Sequence, residues 1–358
     1  MKIKAAVCRE HGKPLSIEQI DLAAPKAGEV TVRLEAVAIC HSDISYAKGD
    51  WGGPLPAVYG HEAAGRIEAL GEGVTGHAVG DPVVVTLIRS CGHCAPCAAG
   101  RPVACAESPD MLAHPLSGTD GEQVWQAMAS GAFAEAVTVH RSQIAAIPED
   151  MPMDQACLLS CGVITGVGAV VNSGRLRAGE DVVVIGAGGV GLNAIQGARI
   201  AGARRIVAVD LNEAKLEDAK AFGATDGATG DAPWRAAKQA LGKGADLVVV
   251  TVGSNAAYEQ APRYLAPGGR VVAVGMPPSD TTAALEPVII AAAGQQIVGS
   301  KMGDTVVARD IPWMVDMWAQ GRLKLAELVS RTWGLDEINE AIADTAAGAA
   351  RRNVIRLK

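Results

Sequence analysis

The spacing of apolar positions changes character partway along the chain. In the first part, short apolar stretches alternate with polar ones, and Val30, Val32 and Leu34 fall on one face of a predicted strand. Residues 15–20 and 81–87 are further strand candidates, and Gly, Pro and Asp residues separate them. The first part of the chain therefore predicts a β-rich domain.

The second part of the chain alternates continuous apolar strands with helices. Residues 181–210 predict a strand, a glycine turn, a helix and a second strand, and residues 213–222 predict another helix. An apolar strand at 245–252 and a helix near 255–265 continue the alternation. This order indicates a parallel sheet that helices cover on both faces. The last sixty residues or so predict a helix at roughly 310–320 and a final strand.

Residues 90–131 follow neither period. They are rich in Gly, Pro, Cys, Ser and Asp. So long a stretch without secondary structure is unusual in a compact domain unless something else holds it, such as a metal ion. We therefore predict a long loop here, organised around a metal.

Size and charge narrow the class of protein. A chain of 358 residues is long enough for about two domains. Its net charge of −7 argues against a general nucleic-acid binder, which needs a basic surface. The longest apolar runs are far shorter than the roughly 20 residues of a membrane span, and the N-terminus has no apolar signal core. We expect a cytoplasmic protein that binds small molecules and neither nucleic acid nor membranes.

Four of the eight cysteines lie close together. Cys91, Cys94 and Cys97 have C-x-x-C spacing, and Cys105 follows eight residues later. In a reducing compartment such clusters bind metal more often than they form disulfides. Four thiolates at this spacing fit a tetrahedral structural zinc, with an iron–sulfur site or a redox dithiol as the alternatives. We interpret His93, which lies between two of the cysteines, as a bystander.

A glycine motif, G-A-G-G-V-G at residues 186–191, directly follows a predicted strand and opens a helix. Gly186 permits the tight turn, Gly188 lets a pyrophosphate approach the backbone, and Gly191 allows the helix to pack closely on the strand. Asp210 ends the next strand, where its carboxylate would bind the adenosine ribose and repel a 2′-phosphate. The motif predicts dinucleotide binding, with NAD favoured over NADP.

A third set of residues is scattered along the chain. Taken singly, Cys40, His61 and Cys161 are most simply read as buried core residues. Together, two thiolates and one imidazole can hold a catalytic zinc whose fourth position stays open for water or substrate. The sequence does not show that these residues meet in space.

Over essentially its whole length the sequence resembles the zinc-dependent alcohol dehydrogenases of the medium-chain dehydrogenase/reductase superfamily. The shared motifs, in family order, are C-H-S-D at 40–43, G-H-E-A-A-G at 60–65, the four-cysteine segment, S-C-G-V-I-T-G at 160–166 and the glycine motif. The resemblance implies an α/β protein with a GroES-like, β-rich catalytic domain at 1–160 and 299–358. It also implies a Rossmann NAD-binding domain with a doubly wound parallel sheet at 161–298, and an active site in the cleft between the domains.

The resemblance further implies reversible oxidation of an alcohol to an aldehyde or ketone, with hydride transfer to NAD and two zinc ions per chain. Cys40, His61 and Cys161 match the catalytic zinc ligands, and the four clustered cysteines match the structural ones. Ser42 matches the hydroxyl that passes the alcohol proton onward, Asp43 the carboxylate that orients the ligating histidine, and Glu62 a carboxylate that can approach the metal. The implied cofactor contacts are His41, Thr165, Gly186, Gly188, Gly189, Val190, Gly191, Asp210, Lys215, Val274 and Arg352, and the implied walls of the alcohol pocket are Trp51 and Leu87.

The sequence departs from the family pattern at one position and allows several alternatives. Ser45 stands where some family members have the histidine that ends the proton relay, so we expect the relay to finish through water. Residues 161–172 are also similar to thiol-dependent formaldehyde dehydrogenases and to nicotinoprotein alcohol dehydrogenases. A zinc-free quinone or enoyl reductase, or a non-catalytic dinucleotide-binding protein, would not need both zinc sets. The long segment from Cys105 to Phe133 resembles dimeric family members, so we expect a homodimer, with a homotetramer as the alternative.

Overall fold

The structure is a computed structural model that describes residues 1–107 and 115–357. The chain forms two compact units, one of Met1–Cys161 with Val306–Lys358 and one of Gly162–Thr305. Cys161 thus lies in the first unit, and residues 299–305 lie in the second, whereas the sequence analysis placed the two crossings at 160/161 and 298/299.

The described elements of the first unit begin with strands β1 (Lys2–Cys8), β2 (Ser16–Leu22), β3 (Glu29–Ala38), β4 (Ala57–Val58), β5 (Glu62–Leu70), β6 (Pro82–Val85), β7 (Leu116–Gly118), β8 (Gln123–Gln126), β9 (Ala136–His140) and β10 (Ile144–Ala146). Helices α1 (His41–Lys48), α2 (Ala95–Ala98) and α3 (Met153–Ala156) lie among and after them, with 3₁₀ turns at Pro102–Ala104, Ala127–Ala129, Arg141–Gln143 and Cys157–Ser160.

The second unit contains helices α4 (Gly162–Gly168), α5 (Gly189–Ile200), α6 (Glu213–Phe222), α7 (Pro233–Leu241), α8 (Asn255–Gln260) and α9 (Pro287–Ala293), a π-helical turn at Ala169–Ser173, and 3₁₀ turns at Ala261–Tyr264 and Met302–Asp304. Its strands are β11 (Asp181–Ile185), β12 (Arg205–Val209), β13 (Asp226–Ala228), β14 (Ala245–Val250), β15 (Leu265–Ala273) and β16 (Gln296–Gly299). The chain ends in the first unit with α10 (Val307–Ala319), β17 (Val329–Gly334), α11 (Ile338–Ala346) and β18 (Arg352–Arg356), and with 3₁₀ turns at Ala326–Leu328 and Leu335–Glu337.

The first unit is built from two β structures. Strands β1, β2, β7, β8 and β4 close a small barrel, and a seven-stranded sheet runs β10-β6-β5-β3-β18-β17 with β9 also paired to β3. The predicted apolar face of β3 is buried at Val30, Val32 and Leu34. Thr31 on the opposite face is buried too, where its hydroxyl lies 3.0 Å from that of Thr138. β3 is therefore a central strand, covered on both faces.

The prediction of a structureless loop over residues 90–131 is wrong. The segment contains α2, two 3₁₀ turns, and strands β7 and β8, which are two strands of the barrel. Strands of three and four residues are too short to show an alternating pattern in the sequence, and their order comes from pairing with β2 and β4. Residues 108–114 of this segment lie outside the described residues.

The second unit carries a six-stranded parallel sheet in the order β13-β12-β11-β14-β15-β16. The apolar run Val182–Val184 lies at its centre and is fully buried, as a parallel sheet covered on both faces requires. Strand β11 pairs with β12 on one side and β14 on the other. The strand order reverses there, so the carboxyl end of β11 is the point at which such sheets bind ligands. The sequence places Gly186 directly after β11.

Within residues 1–107 and 115–357, no single helix is long and apolar enough to cross a membrane. Among the described residues, one bent pair of consecutive helical segments, Met153–Ser160 and Gly162–Ser173, reaches the length and composition of a span. Most residues of this pair are buried inside the protein.

Candidate active site

One buried carboxylate joins the two sequence motifs of the first unit. Asp43 lies in the first turn of α1, where its Oδ2 accepts a hydrogen bond from the backbone N–H of Cys40 at 2.9 Å. Its Oδ1 accepts a second hydrogen bond from the backbone N–H of Gly60 at 2.9 Å and lies 3.0 Å from Nδ1 of His61. Asp43 therefore fixes both the start of the helix and the turn that leads into β5.

This contact decides which nitrogen of His61 is available. In the neutral imidazole, a hydrogen on Nδ1 donated to Asp43 leaves the lone pair on Nε2, where a metal can bind once the ring has lost its second proton. Burial by itself lowers the pKa of His61, but the charge and hydrogen bond of Asp43, together with those of Cys40, raise that pKa well above its ordinary value.

Glu62 begins β5 and is completely buried. Neither of its carboxylate oxygens has a hydrogen-bond partner among the residues that the structure describes. Burial raises the pKa of Glu62 to about 7, although the nearby positive charge of Arg352 opposes the shift. A buried carboxylate with no hydrogen bond is costly unless a cation compensates for the lost water.

Arg352 has a neighbour that the sequence analysis did not assign to it. It begins β18, is only 5% exposed, and places Nη2 3.6 Å from Oε1 of Glu62. The resemblance implies that Arg352 contacts a cofactor phosphate. In the structure, its guanidinium lies beside the buried carboxylate of Glu62.

The structure brings the three scattered residues together. One ligand atom from each of Cys40, His61, Glu62 and Cys161 lies within 4.8 Å of the others, and all four side chains are buried. The thiol–thiol hydrogen bond between Cys40 and Cys161 lowers the pKa of Cys40 and raises that of Cys161. Two sulfurs, one imidazole nitrogen and a carboxylate without a hydrogen bond form a donor set that fits zinc.

The other predicted residues of this unit lie around the same segment. Ser42 is half-buried, with its hydroxyl 3.7 Å from Sγ of Cys40. His41 is exposed at the start of α1. Trp51 is half-buried and packs edge-on against the ring of Tyr46, with the centroids 5.0 Å apart, and Leu87 is half-buried just after β6.

The four clustered cysteines form a second ligand set. Their Sγ atoms lie within 4.8 Å of one another, with 4.0 Å between those of Cys91 and Cys97 and 3.8 Å between those of Cys94 and Cys105. Sulfurs around a tetrahedral zinc are roughly 3.8 Å apart, given zinc–sulfur bonds of about 2.3 Å. Hydrogen bonds from backbone N–H groups, that of Ala106 first, lower the pKa of Cys94 to about 6. These distances fit a closed structural zinc site.

The glycines of the motif at residues 186–191 differ in how closely other atoms pack against them. Gly186 has φ of +98°, and a Cβ atom there would lie 2.4 Å from a methyl carbon of Val252. A Cβ atom at Gly191 would lie 1.7 Å from the carbonyl oxygen of Gly186. A Cβ atom at Gly188 would meet nothing within 4 Å. The motif therefore combines two tightly packed positions with one open position at the start of α5, while Gly189 and Val190 form the first turn of that helix.

Asp210 is attached to the same turn. Its Oδ2 accepts a hydrogen bond from the N–H of Ala187 at 2.8 Å, and its Oδ1 accepts one from the N–H of Asn212 at 2.9 Å. Sequence reasoning missed Thr251, which follows β14 and lies with its hydroxyl 3.0 Å from the carbonyl oxygens of Ile185 and Gly186. Its position directly after the strand beside β11 is the signal that would have found it.

Three further predicted cofactor residues lie in this unit. Thr165 on α4 is 8% exposed, and its hydroxyl lies 3.7 Å from the sulfur of Met302, a residue that the sequence analysis did not select. Lys215 lies half-buried on α6, and the N–H of Val274 donates a hydrogen bond to the carbonyl of Val250 at 3.0 Å.

Comparison with known proteins finds two families that match this chain. The family described as alcohol dehydrogenase GroES-like domain matches residues 26–149, and the family described as zinc-binding dehydrogenase matches residues 189–320. The chain is 35% identical to the NDMA-dependent alcohol dehydrogenase of Amycolatopsis methanolica, across 99% of this chain and 99% of that protein. It is also 35% identical to alcohol dehydrogenase class-3 of Myxine glutinosa, across 99% of this chain and 97% of that protein.

Among solved structures, the fold is similar to that of benzyl alcohol dehydrogenase from Acinetobacter calcoaceticus. The TM-score is 0.95 at 31% sequence identity, and the match covers 100% of both chains. Full-length identity at this level, together with both family matches, shows the family. The chain therefore belongs to the zinc-dependent alcohol dehydrogenases of the medium-chain dehydrogenase/reductase superfamily, and it is an oxidoreductase that uses zinc and a nicotinamide cofactor.

Proposed function

We propose that this alcohol dehydrogenase oxidises a small alcohol reversibly to an aldehyde or ketone, with NAD as the hydride acceptor and two zinc ions per chain. The observation that carries the proposal is the buried ligand group of Cys40, His61, Glu62 and Cys161, with Asp43 hydrogen-bonded to the imidazole. Such a group has three donors for a catalytic zinc and a nearby carboxylate that can approach the metal.

Residues of the first unit would bind the zinc ion, orient its ligands, transfer the alcohol proton and contact the substrate. Cys40, His61 and Cys161 would hold a zinc ion, which supplies a Lewis acid that favours loss of the alcohol proton. Asp43 keeps His61 in the tautomer that leaves Nε2 free to bind. Ser42 accepts the alcohol proton at Oγ and passes its own hydroxyl proton onward toward the ribose and solvent. Trp51 and Leu87 present apolar side chains to the substrate.

The second unit supplies the cofactor contacts. The open space at Gly188 leaves room for a pyrophosphate beside the backbone, and the start of α5 offers N–H groups to it. The carboxylate of Asp210 is held at the end of β12, where it would bind ribose hydroxyls and repel a 2′-phosphate. These features favour NAD over NADP.

The second zinc would occupy the four-cysteine site. The sulfur–sulfur distances and the backbone N–H groups directed at Cys91 and Cys94 support thiolates bound to a single ion. Four protein ligands leave no open position, so this zinc would stabilise the segment and take no part in the reaction.

Benzyl alcohol is the first substrate to test, because the solved relative named above is a benzyl alcohol dehydrogenase. The experiment is to follow NADH absorbance with purified enzyme over primary, secondary and aromatic alcohols and diols, with and without added thiol, and to compare NAD with NADP. No NADH formation with any of these alcohols, in enzyme that contains two zinc ions per chain, would overturn the proposal.

A second candidate is an enzyme that keeps its nicotinamide bound. It is favoured by the match to an NDMA-dependent relative. In that case, NAD would copurify with the protein, and alcohol oxidation would need NDMA as the acceptor. A thiol-dependent formaldehyde dehydrogenase would instead show activity only with formaldehyde and thiol together.

We also propose a homodimer in the cytoplasm. Strand β16 lies at the edge of the parallel sheet and exposes Ile297, and the neighbouring α9 exposes Val288 and Ile289. An apolar sheet edge of this kind is typical of an interface between chains. None of the eight cysteines, all of which lie in the described residues, forms a disulfide, which suits a reducing compartment. Light scattering that gave a tetramer would contradict the dimer.

A further inference from the structure

A histidine and a carboxylate lie directly outside the four-cysteine site. His93 and Glu107 are 72% and 53% exposed, and Nδ1 of His93 lies 3.2 Å from Oε1 of Glu107. Neither residue belongs to the four-thiolate group. They form a second group with Cys91, which belongs to both. The ligand atoms of Cys91, His93 and Glu107 all lie within 4.8 Å of one another.

The spacing of these atoms suits a zinc ion. With bonds of about 2.0–2.2 Å to nitrogen and oxygen, a tetrahedral zinc separates those two ligand atoms by roughly 3.4 Å. The observed nitrogen–oxygen distance of 3.2 Å is close to that value. One sulfur, one imidazole nitrogen and one carboxylate oxygen are all ordinary zinc ligands, and solvent can supply the fourth. Exposure of both outer side chains leaves the group open to bulk solution.

We propose that Cys91, His93 and Glu107 form an outer metal site through which zinc enters and leaves the four-cysteine site. This inference rests on the structural zinc proposed above. A closed set of four thiolates has no free position for an incoming metal, so its ligands must bind one after another. The outer group holds the ion while that happens.

The exchange conserves ligands and protons. On entry the ion keeps Cys91, and Cys94, Cys97 and Cys105 replace His93, Glu107 and one water. Each incoming thiol releases its proton to solvent as it becomes a thiolate ligand, and exit reverses each step. The sulfur of Cys97 is 4.0 Å from that of Cys91, so the first replacement needs only a short movement of the ion.

The test is zinc release from the holoenzyme to excess 4-(2-pyridylazo)resorcinol, followed by its absorbance in a stopped-flow instrument. The kinetic phase that belongs to the four-cysteine site is the one that disappears in Cys94→Ala. We expect His93→Ala and Glu107→Gln to slow this phase about fivefold or more, which corresponds to about 1 kcal/mol on the barrier. Zinc content and the affinity measured by competition should stay at wild-type values. Glu149→Gln, which breaks an exposed ion pair with Arg66 elsewhere, is the matched control and should leave the rate unchanged.

Unchanged release from both variants would overturn the proposal. Faster release with lower zinc content would overturn it as well, because His93 and Glu107 would then retain the zinc and not transfer it. A Cys94→Ala protein with wild-type zinc content would remove the proposed structural zinc itself, and the inference with it. That result is separate from a failure confined to residues 93 and 107.

Discussion

The carboxylate of Asp43 lies 3.0 Å from Nδ1 of His61, and both side chains are 1% exposed. The same carboxylate accepts hydrogen bonds from the backbone N–H groups of Cys40 and Gly60. It thus receives three donors at a site closed to water. Two proposed zinc ligands, Cys40 and His61, are positioned by one acidic side chain from the first turn of α1.

Asp43→Asn should therefore weaken both the fold and metal binding. An amide has only one acceptor oxygen, so its NH₂ group must face either the N–H of Cys40 or the donors of Gly60 and His61. Leaving a buried donor unpaired costs about 1–3 kcal/mol. Urea unfolding should show this loss, and zinc content after dialysis against a chelator should fall. Asp21→Asn, at an exposed ion pair with Lys2, is the control and should change neither quantity. Wild-type stability and zinc content in Asp43→Asn would contradict this account.

Ser42→Ala should reduce turnover without loss of metal. The substitution removes a hydroxyl from the proton path but no zinc ligand, and loss of such a group costs roughly 10²-fold in rate. Turnover should be measured where the chemical step limits the rate, alongside zinc content and NAD binding. Ser45→Ala, three residues further along the same helix, should keep wild-type turnover. Full activity in Ser42→Ala under those conditions would rule out the proposed relay.

Features that depend on one short segment can be predicted from the sequence, whereas contacts between distant segments cannot. Helix α6 coincides with the predicted residues 213–222, because a period of 3.6 is visible within ten residues. The four clustered cysteines were likewise selected from spacing within one short segment. The pairing of Arg352 with Glu62 was missed, because it depends on two strand registers. β18 pairs Val354 with Ala38 of β3, and β3 pairs Ala38 with Glu62 of β5.

Similar reasoning explains why the meeting of Cys40, His61 and Cys161 came only from the resemblance. No local pattern relates three residues that lie directly before α1, directly before β5 and directly after a 3₁₀ turn. In the structure, Ser160 ties that turn to the sheet, since its hydroxyl donates to the carbonyl of Ala63 at 2.9 Å. This contact joins Ser160, the residue before Cys161, to Ala63, the second residue of β5. It therefore sets the position of the third ligand.

Cys94→Ala should lower zinc content by one ion per chain and lower the melting temperature. A structural zinc contributes its binding free energy to folding, and three remaining thiolates hold it less tightly. Metal analysis and calorimetry on the same preparation would measure both effects. His93→Ala should keep the wild-type zinc content, since its imidazole lies outside the four-thiolate group. An unchanged melting temperature and zinc content in Cys94→Ala would contradict a structural zinc in this segment.

Substitution of Asp210 should alter the choice of cofactor. Asp210→Ala removes the negative charge and also the acceptor for the N–H groups of Ala187 and Asn212, so NAD affinity should fall about tenfold. The difference in affinity between NAD and NADP should narrow at the same time. Asp210→Asn keeps one acceptor oxygen but no charge, and it separates the two contributions. It should narrow the gap with a smaller loss of NAD affinity. Both constants can be measured by fluorescence titration, and a wild-type preference for NADP would disprove the assignment.

Two glycines of one turn should respond differently to the same substitution. In Gly191→Ala the new methyl carbon would lie 1.7 Å from the carbonyl oxygen of Gly186, so strand β11 and helix α5 must separate. Overpacking of this kind costs about 1–3 kcal/mol, and the melting temperature should fall even without cofactor.

In Gly188→Ala the methyl group meets no protein atom within 4 Å, and the backbone at φ −80° and ψ −171° accommodates alanine. The protein should therefore keep its melting temperature but lose affinity for NAD, because the methyl group occupies the space that the pyrophosphate needs. Thermal melts with and without NAD distinguish the two effects. If Gly188→Ala binds NAD as tightly as the wild type does, the pyrophosphate does not pass this position, and the assignment of the glycine motif is wrong.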